Sequence, residues 1–481
     1  MKNIVLSRRL AAAALVAGVL AGCNLAPVYQ RPALPVPNEI AAAGSPAVAN
    51  PESLDAARAL EWIRAGQLRD VVALALTHNR DLRVAIANIE RARAQYGIVR
   101  AETLPEISAQ AQAGRSRNAA DLSTGGQAGV NNQYTAQLGF ASYEIDLWGR
   151  VRNLNEAALQ AFLQSEENQR NVQLGLVADV ASAWLTLAAD MARLQLARDT
   201  LEGREKAFAL VTRMHELGAA SGLVLAQNQT TVEAARGEVA NYTAQVARGR
   251  NALQLLVGGP LPPELLPAVS TLSDAQEVAA LRAVPAALPS TVLLHRPDVQ
   301  AAEYNLRSMQ ANIGAARAAL FPSISLTGSI GTGSRELDQL FGSGNRTWSF
   351  VPLVRLPIFD GGANRANVRV AEANQRIAVS QYEKAVQVAF REASDVLADR
   401  AQWDRRIAAQ QGVIAATERT FQLSEARFKA GTDDFLTVLD AQRNLYAAQQ
   451  ALITLRLAEQ VNRVTLWKVF GGEMTDLPAG S

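Results

Sequence analysis

The sequence predicts a mainly α-helical chain made of two duplicated helix–hairpin–helix halves that together contribute four strands to a transmembrane β-barrel. Three observations lead there. First, segment 78–108, HNRDLRVAIANIERARAQYGIVRAETLPEIS, finds its pattern again at 295–325, HRPDVQAAEYNLRSMQANIGAARAALFPSIS. Without a gap, His78, Asp81, Ala85, Asn88, Ala94, Gly97, Arg100, Ala101, Pro105, Ile107 and Ser108 each fall on their own type. The register then persists with small shifts: Gly149 on Gly361, Ala181–Ser182 on Ala393–Ser394, Gly218 on Gly431, Gly258–Gly259 on Gly471–Gly472. A repeat of roughly 180 residues is too long for a solenoid unit and is a duplicated domain half. Second, proline-free stretches far exceed ordinary helix length. Third, between them the apolar period changes from helical to two.

The elements follow in chain order. Lys2, Arg8 and Arg9 precede an apolar run, Leu10–Leu20, that is too short to span a bilayer of about 30 Å; residues 1–22 read as a signal peptide. Its end, Leu20-Ala21-Gly22-Cys23, resembles a bacterial lipoprotein box, in which the cysteine is acylated and the preceding peptide removed. Cys23 is the sole cysteine, so neither an internal disulfide nor a cysteine-based metal site can form. The expected modification is an S-diacylglycerol and an N-palmitoyl chain on Cys23, and in that pattern Asn24 is compatible with delivery to the outer membrane. No other cofactor is implied. Removal of 1–22 takes away three of 47 basic side chains and none of 45 acidic ones, leaving a nearly neutral chain. Neither charge nor an aromatic-interleaved basic run supports nucleic acid as a partner.

Residues 23–65 form an acylated, Pro- and Ala-rich extended segment laid over another surface. The first repeat covers 66–259. Its pattern predicts a helix over 66–103, a barrel hairpin over about 105–147 with a loop at 115–132, a helix over 150–216 and a return helix over 222–256. A Pro-rich linker, 260–294, joins it to the second repeat, 295–472. That copy has a hairpin over about 322–359, helices over 364–430 and 434–469, and a tail, 473–481. A helix such as 150–216 would extend on the order of 100 Å and needs a bundle partner. The seam is visible in the second copy. Val386, Ala393, Ile407, Ile414, Phe421 and Phe428 keep one heptad position, broken at Arg400, while Tyr382, Ala389, Val396 and Trp403 hold its companion.

In the second hairpin, Ile324, Leu326, Gly328 and Ile330 alternate with Ser323, Ser325, Thr327 and Ser329, and Trp348, Phe350, Val354 and Leu356 continue the apolar set. In the first, Tyr134, Ala136, Leu138 and Phe140 alternate with Thr135, Gln137 and Gly139. Strands of about 10–12 residues can cross an outer membrane when tilted. A soluble hairpin with one solvated face has the same alternation. If the strands do lie in lipid, four cannot close a barrel, which needs about eight, so the wall must be shared: a dimer would supply eight strands, a trimer twelve.

The chain resembles the TolC-like outer-membrane efflux proteins, specifically their OprM-like lipoprotein branch, across its whole mature length. The marks are the box ending at Cys23, YEIDLWGRVR at 143–152, HRPDVQAAE at 295–303, LFPSIS at 320–325, LPIFDGGANRANV at 356–368, RFKAG at 427–431, LDAQRNL at 439–445 and FGG at 470–472. The resemblance implies a homotrimer with a twelve-stranded barrel in outer-membrane lipid, continued by a long α-helical periplasmic tunnel. It further implies a passive multidrug exit duct, not an enzyme, for an RND-type inner-membrane transporter joined by a periplasmic adaptor (membrane fusion) protein. The same fold could instead serve type I protein or peptide secretion.

A duct needs a lumen and a gate, expected at the helical turns near Gly218 and Gly431. Leu436 and Asp440 are four apart and share a helix face, and in the resembled family the matching pair forms rings at the closed periplasmic aperture. The family's Arg-Tyr pair reads Arg427-Phe428 here and Met214-His215 in the first copy. Asp433 and Asp434 serve either the gate or, as caps, the positive end of their helix. Arg427 equally suits a surface ion pair. His78 and His295, at matching positions, indicate a repeated structural role; Trp148 and Trp348 suit membrane interfaces and Trp403 the core.

Overall fold

The computed structural model of the chain describes residues 24–41, 63, 65–122, 127–268 and 287–471. The signal segment, Cys23, most of the linker, Gly472 and the C-terminal tail lie outside them. In chain order the elements are β1 (Glu39–Ala41), α1 (Gly66–His78), α2 (Arg80–Ala101), β2 (Ile107–Asn118), β3 (Gly129–Ile145), α3 (Arg150–Glu216) and α4 (Gly222–Val257). There follow β4 (Ala287–Pro289), α5 (Pro297–Ala318), β5 (Ser323–Ser334), β6 (Arg346–Arg355), α6 (Ala363–Arg400), α7 (Trp403–Lys429) and α8 (Phe435–Val469). The chain divides into two compact units. One comprises Met1–Pro32, Asn88–Glu166 and Ala301–Tyr382, the other Ala33–Ala87, Glu167–Gln300 and Glu383–Ser481. These units do not coincide with the sequence halves, because each repeat threads its long helices through both.

The first unit holds a four-stranded antiparallel sheet, ordered β2-β3-β5-β6. Residues opposite one another share a face, so the register sorts the side chains. Ala109, Leu138, Ile330 and Trp348 form one row; Gln110, Gln137, Gly331 and Thr347 form the adjacent row on the opposite face. On the apolar face Leu138, Ile330 and Trp348 are 50%, 65% and 79% exposed. On the other, Ser329 and Ser349 hydroxyls are 2.7 Å apart. The strands meet closely where glycines replace side chains: a Cβ on Gly139 would lie 2.3 Å from the Gly328 carbonyl oxygen. The first hairpin loop is shorter than expected, since pairing runs from Asn118 across to Gly129. β3 is longer, at 17 residues. A bulge between Phe140 and Tyr143, with Ser142 at φ 56°, lets its pairing with β5 resume down to Ile145.

In the same unit the extended N-terminal segment lies along α5. Asn24 accepts from the Asn153 side chain at 3.0 Å, and Gln310 donates to the Pro27 carbonyl at 2.9 Å. Gly314 makes this approach possible, because a Cβ there would sit 2.7 Å from that of Ala26. Farther along, Glu303 accepts from Tyr29 at 2.9 Å, Arg31 at 2.9 Å and Arg307 at 2.6 Å, and the Arg307 guanidinium stacks 4.7 Å from the Tyr29 ring centroid. Positions 303, 307, 310 and 314 form one helical stripe, which explains why an extended strap can follow it. Burial pushes the Glu303 carboxyl up, but the bonds from Arg31, Arg307 and Tyr29 outweigh it and hold the group below its ordinary value.

The second unit is mainly helical, with one short strand pair, around a core including Leu68, Val71, Val72, Val180, Ala181, Trp184, Leu187, Leu253 and Trp467. α3 is the only described helix long and apolar enough to cross a membrane, yet Val180, Trp184, Leu185 and Leu187 in it are fully buried in the chain itself. Trp184 also donates to the Leu265 carbonyl at 3.0 Å, fastening the start of the linker. β1 pairs with β4, joining the N-terminal segment to the linker's end.

Two expected helices are interrupted. The 66–103 helix breaks at Asn79, which is extended (ψ 134°), accepts from Leu82 N at 2.9 Å as a cap, and donates to the Leu256 carbonyl at 2.8 Å. Gly258 at the end of α4, φ 80°, packs there; a Cβ on it would lie 2.4 Å from the His78 carbonyl oxygen. The 364–430 helix is divided at Ala401–Gln402, where Gln402 N bonds the Asp399 carbonyl at 3.0 Å, one residue tighter than an α-turn. The break directly follows Arg400, where the heptad seam fails. Tyr382, Val386, Ala389, Ala393, Val396 and Trp403 are buried as the seam requires.

A carboxylate whose folded pKa is depressed stabilises above its ordinary pKa and loses that contribution as pH falls through the folded value. The strap should therefore stay docked at pH 7 and be released only in acid below the ordinary glutamate range. Glu303→Gln should expose residues 24–32 to a neutral protease at pH 7, with helical circular dichroism unchanged. Cleavage no faster than in the parent chain would refute this.

Candidate functional site at the helix tips

α3 joins α4, and α7 joins α8, through the same turn. Gly218 (φ 74°) and Gly431 (φ 73°) adopt the left-handed conformation that glycine reaches without a Cβ clash. In each, the glycine N–H bonds three residues back (Gly218 to His215, Gly431 to Phe428, both 2.9 Å). The next N–H bonds five back (Ala219 to Met214 at 2.8 Å, Thr432 to Arg427 at 3.0 Å). This is a Schellman stop, which satisfies the last helical carbonyls.

The side chains around the two turns differ. At the first, His215 Nδ1 lies 2.8 Å from the Ala220 carbonyl oxygen and Ser221 caps α4, accepting from Val224 N at 3.3 Å. At the second, Arg427 grips Asp433 with two bonds, 2.7 and 2.8 Å. The hydrogen bond to Arg427 holds the half-buried Asp433 carboxyl below its ordinary pKa, and Asp433 raises that of Arg427 in return. Asp434 is the α8 cap, accepting from Thr437 N at 3.1 Å and its hydroxyl at 2.8 Å. Of the two readings for this acidic pair, the structure brings Asp434 to the cap and Asp433 to Arg427.

Phe428 meets Phe435 edge-on, ring centroids 5.0 Å apart, inside a small apolar cluster with Val211 and Val438. Phe428, where the resembled family has a tyrosine, thus packs inward rather than offering a hydroxyl. On the other side of α8, Leu436 is 47% exposed and Asp440 is half-exposed, bonded only to Arg443 of its own helix at 2.8 Å. Leu436 and Asp440 share the outward face of the helix, while Phe435 and Val438 fill the core. Sequence reasoning missed Phe435, Val438 and Arg443. The apolar i, i+3 spacing of the first two and the Asp440–Arg443 spacing were the available signals. Cys23, the lipidation candidate, lies outside the described residues.

What this arrangement offers is a turn, held by its own hydrogen bonds, that presents a leucine and a carboxylate. Comparison with known proteins gives the setting. The family model described as outer membrane efflux protein matches over residues 71–259 and again over 288–472. The chain belongs to that family. It is 41% identical to the probable efflux pump outer membrane protein TtgC of Pseudomonas putida over 97% of this chain and 96% of that one. Among solved structures, a membrane protein from Pseudomonas aeruginosa superposes with a TM-score of 0.87 at 40% identity, covering 93% of this chain and all of that one. The open-state MtrE outer membrane channel of Neisseria gonorrhoeae gives 0.81 at 36% identity, covering 94% and 99%. The fold is therefore that of the TolC-like channels, a barrel continued by a helical tunnel, and the protein is an outer-membrane efflux channel component.

Asp434→Ala removes a cap worth about 1 kcal/mol, so amide exchange in the first turn of α8 should quicken. Basal channel conductance should stay unchanged, because this side chain points at its own helix. A conductance change with unaltered exchange would assign Asp434 to the gate instead.

Proposed function

We propose that the chain is the exit duct of a tripartite efflux assembly. Three copies close a twelve-stranded barrel, and their helices form a tunnel that meets a periplasmic adaptor fed by an RND-type inner-membrane transporter. The observation that carries this reading is the sheet itself. It has two open edges, one uncovered apolar face and one face lined mainly by amides, hydroxyls and glycines, with Val351 and Leu353 on β6 the apolar exceptions, so it suits a wall between lipid and water that copies of the chain complete. Relatives named for antibiotic and for toluene efflux support small, largely apolar cargo over secreted peptides.

In this reading Leu436 and Asp440, repeated threefold at the tips, make an apolar constriction beside an anionic ring, with Arg427 and Asp433 stiffening the turn behind it. Cys23 carries the diacylglycerol and palmitoyl chains. Asn24 is fastened beside Gly314, one turn before α5 ends and the chain enters β5. The acyl chains would thus enter the same lipid as the sheet, each buried methylene contributing about 0.8 kcal/mol.

Two measurements test this. Purified mature protein in planar bilayers should conduct as a trimer, and Asp440→Ala combined with Arg427→Ala should raise basal conductance on the order of tenfold, the scale of an ordinary conformational coupling. Unchanged conductance in the double variant removes these positions from the gate; no channel events at all would overturn the duct. Intact mass of the membrane-extracted protein should begin at Cys23 with three acyl chains, and Cys23→Ala should abolish the added mass while the trimer persists.

A further inference from the structure

The charges of the sheet are distributed unevenly, and the pattern points to a ligand. Along β6 the apolar-face positions read Val354, Pro352, Phe350, Trp348 and then Arg346; along β2 they read Ile107, Ala109, Ala111, Ala113 and then Arg115 and Arg117. The pairing fixes this side. Arg346 stands in the row of Thr332, Ala136 and Ala111, while Arg115 faces Asn132 and Arg117 faces Val130. The opposite face of the same stretch carries Gln112, Gly114, Ser116, Gln133, Thr135 and Thr347, with no charge. All three arginines are exposed, and none makes an ion pair or side-chain hydrogen bond among the described residues. The carboxylates of the adjoining turns, Asp121, Glu336 and Asp338, form no ion pair with them, and Arg335 adds a further cation there.

Depth explains where such cations can sit. From Val354 to Trp348, six residue steps of about 3.3 Å on a strand tilted by about 40° rise about 15 Å, and the exposed apolar run continues past the strand's end through Leu356, Ile358 and Phe359. An exposed tryptophan closing that run marks an interface, and a guanidinium two residues beyond it lies at headgroup depth, where arginine is tolerated. Guanidinium groups bind phosphate through forked pairs of N–H donors. A cation meant to steer cargo would face the polar side; these face lipid.

We propose that Arg115, Arg117 and Arg346 form a binding site, on the lipid-facing rim at the hairpin turns, for the phosphates of a phosphorylated outer-leaflet glycolipid. The inference rests on the duct reading, which sets the turns outward. β2 and β6 are the two edge strands, so closure of the barrel sets the arginines of one copy on the strand next to those of its neighbour.

The test uses the full-length trimer in phosphatidylcholine vesicles, with and without diphosphorylated lipid A, read by native mass spectrometry of retained lipid. The parent should retain lipid A, and retention should fall with salt. Arg115→Gln/Arg117→Gln/Arg346→Gln should weaken retention by about tenfold or more, and Arg346→Gln alone should weaken it partially. Dephosphorylated lipid A should bind no better to the parent than to the triple variant, and millimolar inorganic phosphate should not compete. Equal lipid A retention by parent and triple variant, or full displacement by inorganic phosphate, would overturn the site. Conductance in plain phosphatidylcholine separates the two readings: its loss in the parent chain sinks the duct and this site with it. Retained conductance with unchanged lipid binding sinks the rim alone.

Discussion

Backbone amides placed in hydrocarbon must find partners within protein, and this constraint governs everything else in the chain. β2 and β6 each lie at an edge of the sheet, and every residue of both is exposed in a single copy. Each unpaired group costs several kcal/mol in lipid. In water the same edges would template uncontrolled association. A sheet of this kind is stable only when another edge completes it, so assembly is built into the fold. The exposed apolar run past β6, with Ile358 and Phe359 each 92% exposed, carries the same message beyond the sheet.

Duplication supplied the two hairpins, but the repeats have since been finished differently. At the equivalent break after His78 and His295, the first copy uses the Asn79 cap and the second uses Arg296-Pro297. There Arg296 bonds Asp298 at 2.7 Å, Glu392 at 2.9 Å and the Val469 carbonyl at 3.2 Å. Burial alone would lower the Arg296 pKa; its two carboxylate partners reverse that and hold it charged. At the tips the backbone turn is identical, while the side chains behind it are His215 in one copy and the Arg427–Asp433 pair in the other. An exposed leucine follows each turn, Leu223 in one copy and Leu436 in the other, whereas the position of Asp440 holds Gln227 in the first copy.

Much of the fold was legible because it is periodic. The α3 limits, the tip glycines and the alternation of the strands follow from the 3.6 and 2.0 periods and from glycine's access to positive φ. The two helix interruptions were not legible, and for different reasons. The break at Asn79 depends on Leu256 and Gly258, almost 180 positions away, and no local pattern reports such a contact. At Gln402 the local sign existed, since Arg400 violated its own heptad, but one exception does not show whether a helix tolerates it or kinks. The length of β3 was hidden by the bulge at Ser142, which shifts the alternation that strand reading relies on. For the site, Asp434 could be read as a cap from its position ahead of an apolar run. The Arg427–Asp433 grip, by contrast, needs the turn geometry.

Two kinds of acidic residue stand within eight positions of one another at the second tip, and their surroundings separate their roles. Asp433 and Asp434 spend their lone pairs on groups of the same turn, so their charge is absorbed locally and contributes little field beyond it. Among the described residues Asp440 bonds only Arg443, a more exposed side chain on its own helix, and solvent screens that pair in an isolated chain. Around a symmetry axis the arithmetic changes. Like carboxylates brought together in a narrowing lumen lose water and repel, while the leucines one turn below gain from mutual burial. In the proposed assembly, a residue that is energetically idle in one copy would thus become decisive through repetition, and stability measured on the lone chain would be blind to it.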